Sequence, residues 1–166
     1  HANHIPDGAL CRCGKKGCLE AYLSDYALVR SASQLPEDTD PADIKAGVEG
    51  LEKLLETADA GDENARKAFH QAGRVLGYGL ARVIALIDPK RIVLTGAAMR
   101  AYTFMEKGVW EGLKDALVED LRNNFTLDVM PWNEDFIRTG LVAQSMERLD
   151  MDFLGAQVKT PRREAS

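Results

Sequence analysis

The chain has 166 residues, 45% hydrophobic and 28% charged, the balance of an ordinary globular domain with enough apolar mass to bury a core without disulfides. Its 21 basic and 26 acidic residues give a net charge of −5, which argues against a domain that holds nucleic acid by neutralising phosphates. No run reaches the roughly 18 apolar residues of a membrane span, and the opening His-Ala-Asn-His lacks the basic start and apolar core of a signal peptide, so a cytoplasmic chain with no membrane partner is expected.

In chain order, the first 20 residues are rich in turn formers, with Pro6-Asp7-Gly8 and Cys13-Gly14-Lys15-Lys16-Gly17. From Leu19 the spacing of Leu19, Leu23, Tyr26-Ala27 and Arg30 predicts a helix. Leu35–Pro41 breaks it, and Asp40-Pro41 reads as the cap and first turn of a second helix through Ile44, Val48, Leu51 and Leu54-Leu55. Asp62 is placed to cap a long helix to Ile87, with an apolar face of Ala65, Phe69, Ala72, Leu76, Leu80, Val83 and Ile87. Gly73, Gly77 and Gly79 in that helix each cost about 1 kcal/mol of propensity; they imply either tight core packing or the close approach of another backbone or a ligand. Asp88-Pro89 ends the helix. A short apolar strand over Arg91–Gly96, a helix over Ala101–Asn123, a second strand over Phe125–Met130 and a last helix over Asp135–Leu149 complete an α/β order with parallel strands. Trp110, Trp132 and Phe136 are assigned to the core, with intersubunit contact as the other role. The locally basic end, Lys159 to Arg163, reads as a disordered tail.

The strongest chemical signal is His1 with Cys11, Cys13 and Cys18, His4 being a competing imidazole. Three sulfurs in an eight-residue stretch plus one histidine form a donor set suited to a structural, tetrahedral zinc ion. Arg12, Lys15 and Lys16 would offset the charge of three thiolates. A disulfide with one free thiol, or three reduced thiols, are the other readings; the odd count and the lack of a secretion signal weigh against a disulfide. Four protein donors would close the shell, so the metal is expected to hold structure and to do no chemistry.

The pattern Cys11-x-Cys13-Gly14-x-x-Gly17-Cys18-x-Glu20, with His1 ten residues before the first cysteine, resembles the signature of the ROK family (repressors, open reading frames and sugar kinases). Pro89-x-x-Ile92-Val93-Leu94-x-Gly96 after a glycine-rich helix is similar to a second family feature. The resemblance runs over essentially the whole chain. It implies the C-terminal lobe of the actin-like, hexokinase-like (ribonuclease H-like) ATPase fold with a zinc-binding loop: loop 1–20, α/β lobe 21–155 and tail 156–166. It prefers His1 to His4 as the fourth zinc ligand and gives His1 and Glu20 contacts to a sugar.

The family's kinases also use an aspartate base, a glycine-rich phosphate loop and a further sugar-binding glutamate. All three would precede His1, so the chain reads as the second half of a longer protein, with no catalytic residue of its own. A kinase would place nucleotide against Gly96 and Ala97. The family's kinases carry Gly-Gly where this chain has Gly96-Ala97-Ala98; Ala97 crowds that approach, and Ser24-Asp25 departs from the usual Ser-Gly. The resemblance therefore favours the effector region of a sugar-sensing transcriptional repressor, reaching DNA only through a part outside this chain, over an ATP-dependent sugar kinase, such as a glucokinase or N-acetylhexosamine kinase. A homo-oligomer is expected.

Overall fold

The computed structural model describes residues 1–130 and 133–157. They form, in order, α1 (Glu20–Leu23), α2 (Asp25–Ala32), α3 (Val48–Asp59), α4 (Glu63–Ile87), β1 (Arg91–Leu94), a 3-10 turn (Ala97–Ala101), α5 (Tyr102–Ala116), α6 (Glu119–Arg122), β2 (Thr126–Val129) and α7 (Glu134–Gln157). Residues 1–131 make one compact unit, and α7 lies in a second. The strands are parallel, with Arg91 opposite Thr126 and Leu94 opposite Val129. Among the described residues no helix is long and apolar enough to cross a membrane. Trp132, the side chain of Phe136 and residues 158–166 of the expected tail lie outside the described residues.

α4 is the spine. Asp62 caps it: its Oδ1 accepts the Ala65 N–H at 2.8 Å, satisfying one of the amides that a helix start leaves without an internal partner. The buried stripe runs through Ala65, Phe69, Ala72, Gly73, Gly77, Ala81 and Ile84. It departs from the expected apolar face at its end, because Val83 and Ile87 are exposed. The reason is α5. A Cβ on Gly73 would strike the Met105 carbonyl, and one on Gly77 the Val109 carbonyl. The relation is mutual, since Gly108 meets the His70 carbonyl and Gly112 the Arg74 carbonyl. Two glycine pairs at four-residue spacing thus let the helix backbones touch, and the stripe follows the smallest side chains. Gly79 is different: a Cβ there would meet only the Leu19 methyls, at 3.5 and 3.6 Å.

Two clusters flank this contact. Leu28, Leu51, Ala58, Ala65, Phe69 and Met105 fill one, and Ile84, Val109, Leu113 and Leu117 fill the other, against Ile92 and Leu127 of the sheet. Trp110 stacks on Phe125 at 6.4 Å between ring centres but stays 43% exposed, so it is a rim residue and not the core residue expected.

Three expected helices are interrupted. The first breaks at Ser24, whose extended backbone (φ −77°, ψ 166°) separates α1 from α2. The second does not start at Asp40. That carboxylate closes one turn, accepting the Ala42 N–H at 2.9 Å. Ile44 then buries against Tyr26 and Ala27, and the helix begins only after Gly47, at φ +105°. The third ends at Ala116, because Leu117 turns extended (φ −117°, ψ 142°) while staying buried in the second cluster. In each case a buried side chain or a local turn overrides helical spacing. The last helix instead runs longer than expected, to Gln157.

The glycine contact makes a contrast that melting can measure. Gly77→Ala and Gly108→Ala should each destabilise the chain by about 1–3 kcal/mol through overpacking. Gly79→Ala should be neutral or raise stability by up to about 1 kcal/mol through helix propensity.

Candidate functional site

The loop before α1 is built from tight turns and a few ladder bonds. Asn3 pairs with Cys18, and Leu10 with Lys16. Leu19 N–H donates to the Ala2 carbonyl at 2.8 Å, and Cys11 N–H to the Lys15 carbonyl at 2.9 Å. Gly17 sits at φ +72°, and any side chain there would run into the Ile5 carbonyl, so glycine alone lets the chain pass beneath residue 5. The loop's own apolar cluster is small: Ala9, Cys11, Cys18 and Ala21, with Tyr22 against it.

This path brings one donor atom each from His1, Cys11, Cys13 and Cys18 within 4.8 Å of one another. His1 Nδ1 is 3.5 Å from Cys11 Sγ, and Cys13 Sγ is 3.6 Å from Cys18 Sγ. Cys11 and Cys18 are buried and Cys13 is exposed. His4 takes no part. It packs between Tyr22 and Tyr78, where burial and the nearby Arg82 guanidinium hold its pKa below the usual value.

Cys13 and Cys18 are driven in opposite directions. The Lys15 backbone N–H and the Cys11 thiol draw Cys13 down, whereas burial and the Cys13 thiol push Cys18 up to about 11. Three thiolates so close together repel one another, and a coordinated divalent cation deprotonates thiols outright. The donor set therefore fits a metal ion: three sulfurs, one imidazole and a mutual spacing that one ion can span.

Glu20, in the first turn of α1, places Oε2 3.0 Å from His1 Nδ1. His1 is 54% exposed and Glu20 35%, so this pair forms the wet rim of a site whose Cys11 and Cys18 sulfurs are buried. Gly96 and Ala97 stand elsewhere, at the turn after β1. Gly96 adopts φ +125° with open space where a side chain would be, and the 3-10 turn starts at Ala97.

Two residues that hold the site were not singled out in the sequence. Arg30 is only 4% exposed. Its Nη2 donates to the Ala21 carbonyl at 2.5 Å and its Nη1 to the carbonyls of Leu10 and Glu37, at 3.4 and 3.5 Å. One turn earlier on α2, the fully buried Tyr26 donates its hydroxyl to Cys11 Sγ at 3.7 Å and accepts the Arg12 N–H at 3.3 Å. Four-residue spacing on α2 was the available signal, since it puts both side chains on one face. Arg30 lay inside an apolar pattern and read as part of it.

Residues 1–135 match the model of the ROK family. A glucokinase of Streptomyces coelicolor is 34% identical over 105 residues, which is 58% of this chain and 33% of that protein. A xylose repressor of Bacillus spizizenii is 25% identical over 121 residues, 73% of this chain and 29% of that protein. A solved ROK family transcriptional regulator, homologous to the MLC protein of E. coli, superposes with a TM-score of 0.62 over 78% of this chain and 33% of that one, at 23% identity. The chain thus spans about a third of the length of these relatives, which include both sugar kinases and regulators. It belongs to the ROK family.

Proposed function

We propose that this chain forms the sugar-recognising part of a ROK transcriptional regulator, with His1 and Glu20 contacting the sugar beside a structural zinc ion held by His1, Cys11, Cys13 and Cys18. The observation that carries the reading is the pairing of exposed His1 with half-buried Glu20 at the edge of a cluster of four groups able to ligate a metal. A carboxylate accepts hydrogen bonds from adjacent hydroxyls, and a metal-fixed loop keeps that acceptor in place. Zinc suits a one-histidine, three-cysteine set better than oxygen-seeking cations do. The ion supplies folding energy here and no chemistry.

The regulator reading rests on Gly96-Ala97-Ala98 standing where the family's kinases carry Gly-Gly, since a residue other than glycine there is expected to hinder a nucleotide's approach to the backbone. The acidic balance agrees with DNA contacts lying outside this chain. Sugar would then act by binding one arrangement of the full protein better than another. A second reading, the C-terminal lobe of an ATP-dependent sugar kinase, is favoured by the 34% identity to a glucokinase.

Three measurements test these readings. The reduced chain should carry one equivalent of zinc and lose it on Cys18→Ser; less than about half an equivalent in the unsubstituted chain would refute the metal assignment. In the full-length protein Glu20→Gln should weaken glucose, xylose or N-acetylglucosamine binding by about 10–100-fold, the effect of losing charge-assisted hydrogen bonds, with the zinc content unchanged. Sugar should also shift operator affinity without ATP turnover. Sugar-stimulated ATP hydrolysis with no operator binding would establish the kinase reading instead.

A further inference from the structure

Tyr26 has no counterpart in the donor set, yet it touches that set from below. Its ring is fully buried in a cluster with Ala27 and Ile44, so the hydroxyl has little freedom to turn elsewhere. That hydroxyl makes two contacts: it donates to Cys11 Sγ at 3.7 Å and accepts the Arg12 N–H at 3.3 Å. The Arg12 guanidinium then folds back over the outer face of the same ring, 4.8 Å from its centre. One buried side chain therefore touches a sulfur, the next residue's backbone and that residue's guanidinium.

We infer that Tyr26 is an outer-shell residue of the metal centre, whose hydroxyl orients the Cys11 thiolate and raises metal affinity. The inference rests on the zinc reading above. Three thiolates around one divalent ion would leave a net negative charge, which a hydrogen bond to the buried Cys11 sulfur and the exposed Arg12 guanidinium across the ring would offset. Groups that orient ligands in this way commonly set metal affinity by 10–100-fold. A phenol held by an apolar cluster pays little entropy to stay aimed at the sulfur, and Arg30, one turn along α2, fixes the preceding residue through the Leu10 carbonyl. Residues 10 to 12 are thereby clamped to α2 as a unit.

The test compares Tyr26→Phe with the unsubstituted chain by competing zinc against a chromogenic chelator, and by the thiolate-to-cobalt charge-transfer band of the cobalt-loaded forms. Tyr26→Phe should bind zinc about 10–100-fold more weakly and move the band to lower energy, because the sulfur lone pair loses its hydrogen bond. Ile44→Ala loosens the packing under the ring but keeps the hydroxyl, and should leave affinity within about twofold. Equal affinity and an unmoved band in Tyr26→Phe would overturn the inference, as would a loss in Ile44→Ala as large as that in Tyr26→Phe. If Tyr26→Phe does not fold, 3-fluorotyrosine at position 26, a stronger donor of nearly the same shape, decides: the band should move to higher energy, and an unmoved band overturns the inference. An unsubstituted chain that takes up no metal defeats the zinc reading and this inference together; a chain that takes up zinc but ignores Tyr26→Phe defeats this inference alone.

Discussion

Gly73 and Gly77 on α4 lie against the carbonyls of α5, and Gly108 and Gly112 on α5 lie against those of α4. Four missing side chains bring two backbones into contact along a full helical turn. The four glycines give up helix propensity, and close packing along the seam offsets that loss. The consequences run outward. With the helices this close, Phe69 and Met105 close one cluster above the contact, and Ile84, Val109 and Leu113 close another below it. The second cluster carries the sheet, since Ile92 and Leu127 pack on it.

The loop is a different kind of structure. Its buried apolar cluster is Ala9, Cys11 and Cys18 against Ala21 and Tyr22 of α1, too little to order some 20 residues by burial alone. Ladder bonds and glycine turns give it a path, and α2 gives it a floor through Tyr26 and Arg30. Burial pushes the Cys18 thiol up while the Lys15 N–H draws Cys13 down, so these two neighbours lack a common preference for charge. Metal coordination fits that gap, and it bears directly on His1, which is at once a member of the donor set and the partner of Glu20. The wet rim proposed to meet sugar and the half-buried cluster proposed to hold zinc share one imidazole, so order in one is order in the other.

Much of this was legible in the sequence for a physical reason: donor residues, caps and glycines announce themselves by type. Cys11, Cys13 and Cys18 needed only spacing to be grouped, the resemblance to the ROK family was needed to choose His1 over His4, Asp62 marked the start of α4, and Pro89 followed its end. The glycines of α4 were legible as a demand for close approach, but their partner was not. Gly108 and Gly112 share the four-residue spacing of Gly73 and Gly77, and matching the two intervals would have paired the helices. Other features were hidden because they depend on tertiary context. Ser24 could continue a helix as readily as break one. Ile44 fits a helical stripe yet anchors a turn under Tyr26. Arg30 fits the apolar stripe of its helix, but its three carbonyl partners lie on other segments and no spacing reveals them.

The chain divides into a helical scaffold and a loop that a metal is proposed to complete. Hydrogen exchange followed by mass spectrometry, on the chain with and without bound zinc, tests that division most directly. The division predicts that amides of α4 and α5 keep their protection when zinc is removed, while protection over residues 1–20 rises sharply when zinc is restored. Loss of protection in α4 and α5 together with the loop, or a loop equally protected without metal, would contradict it.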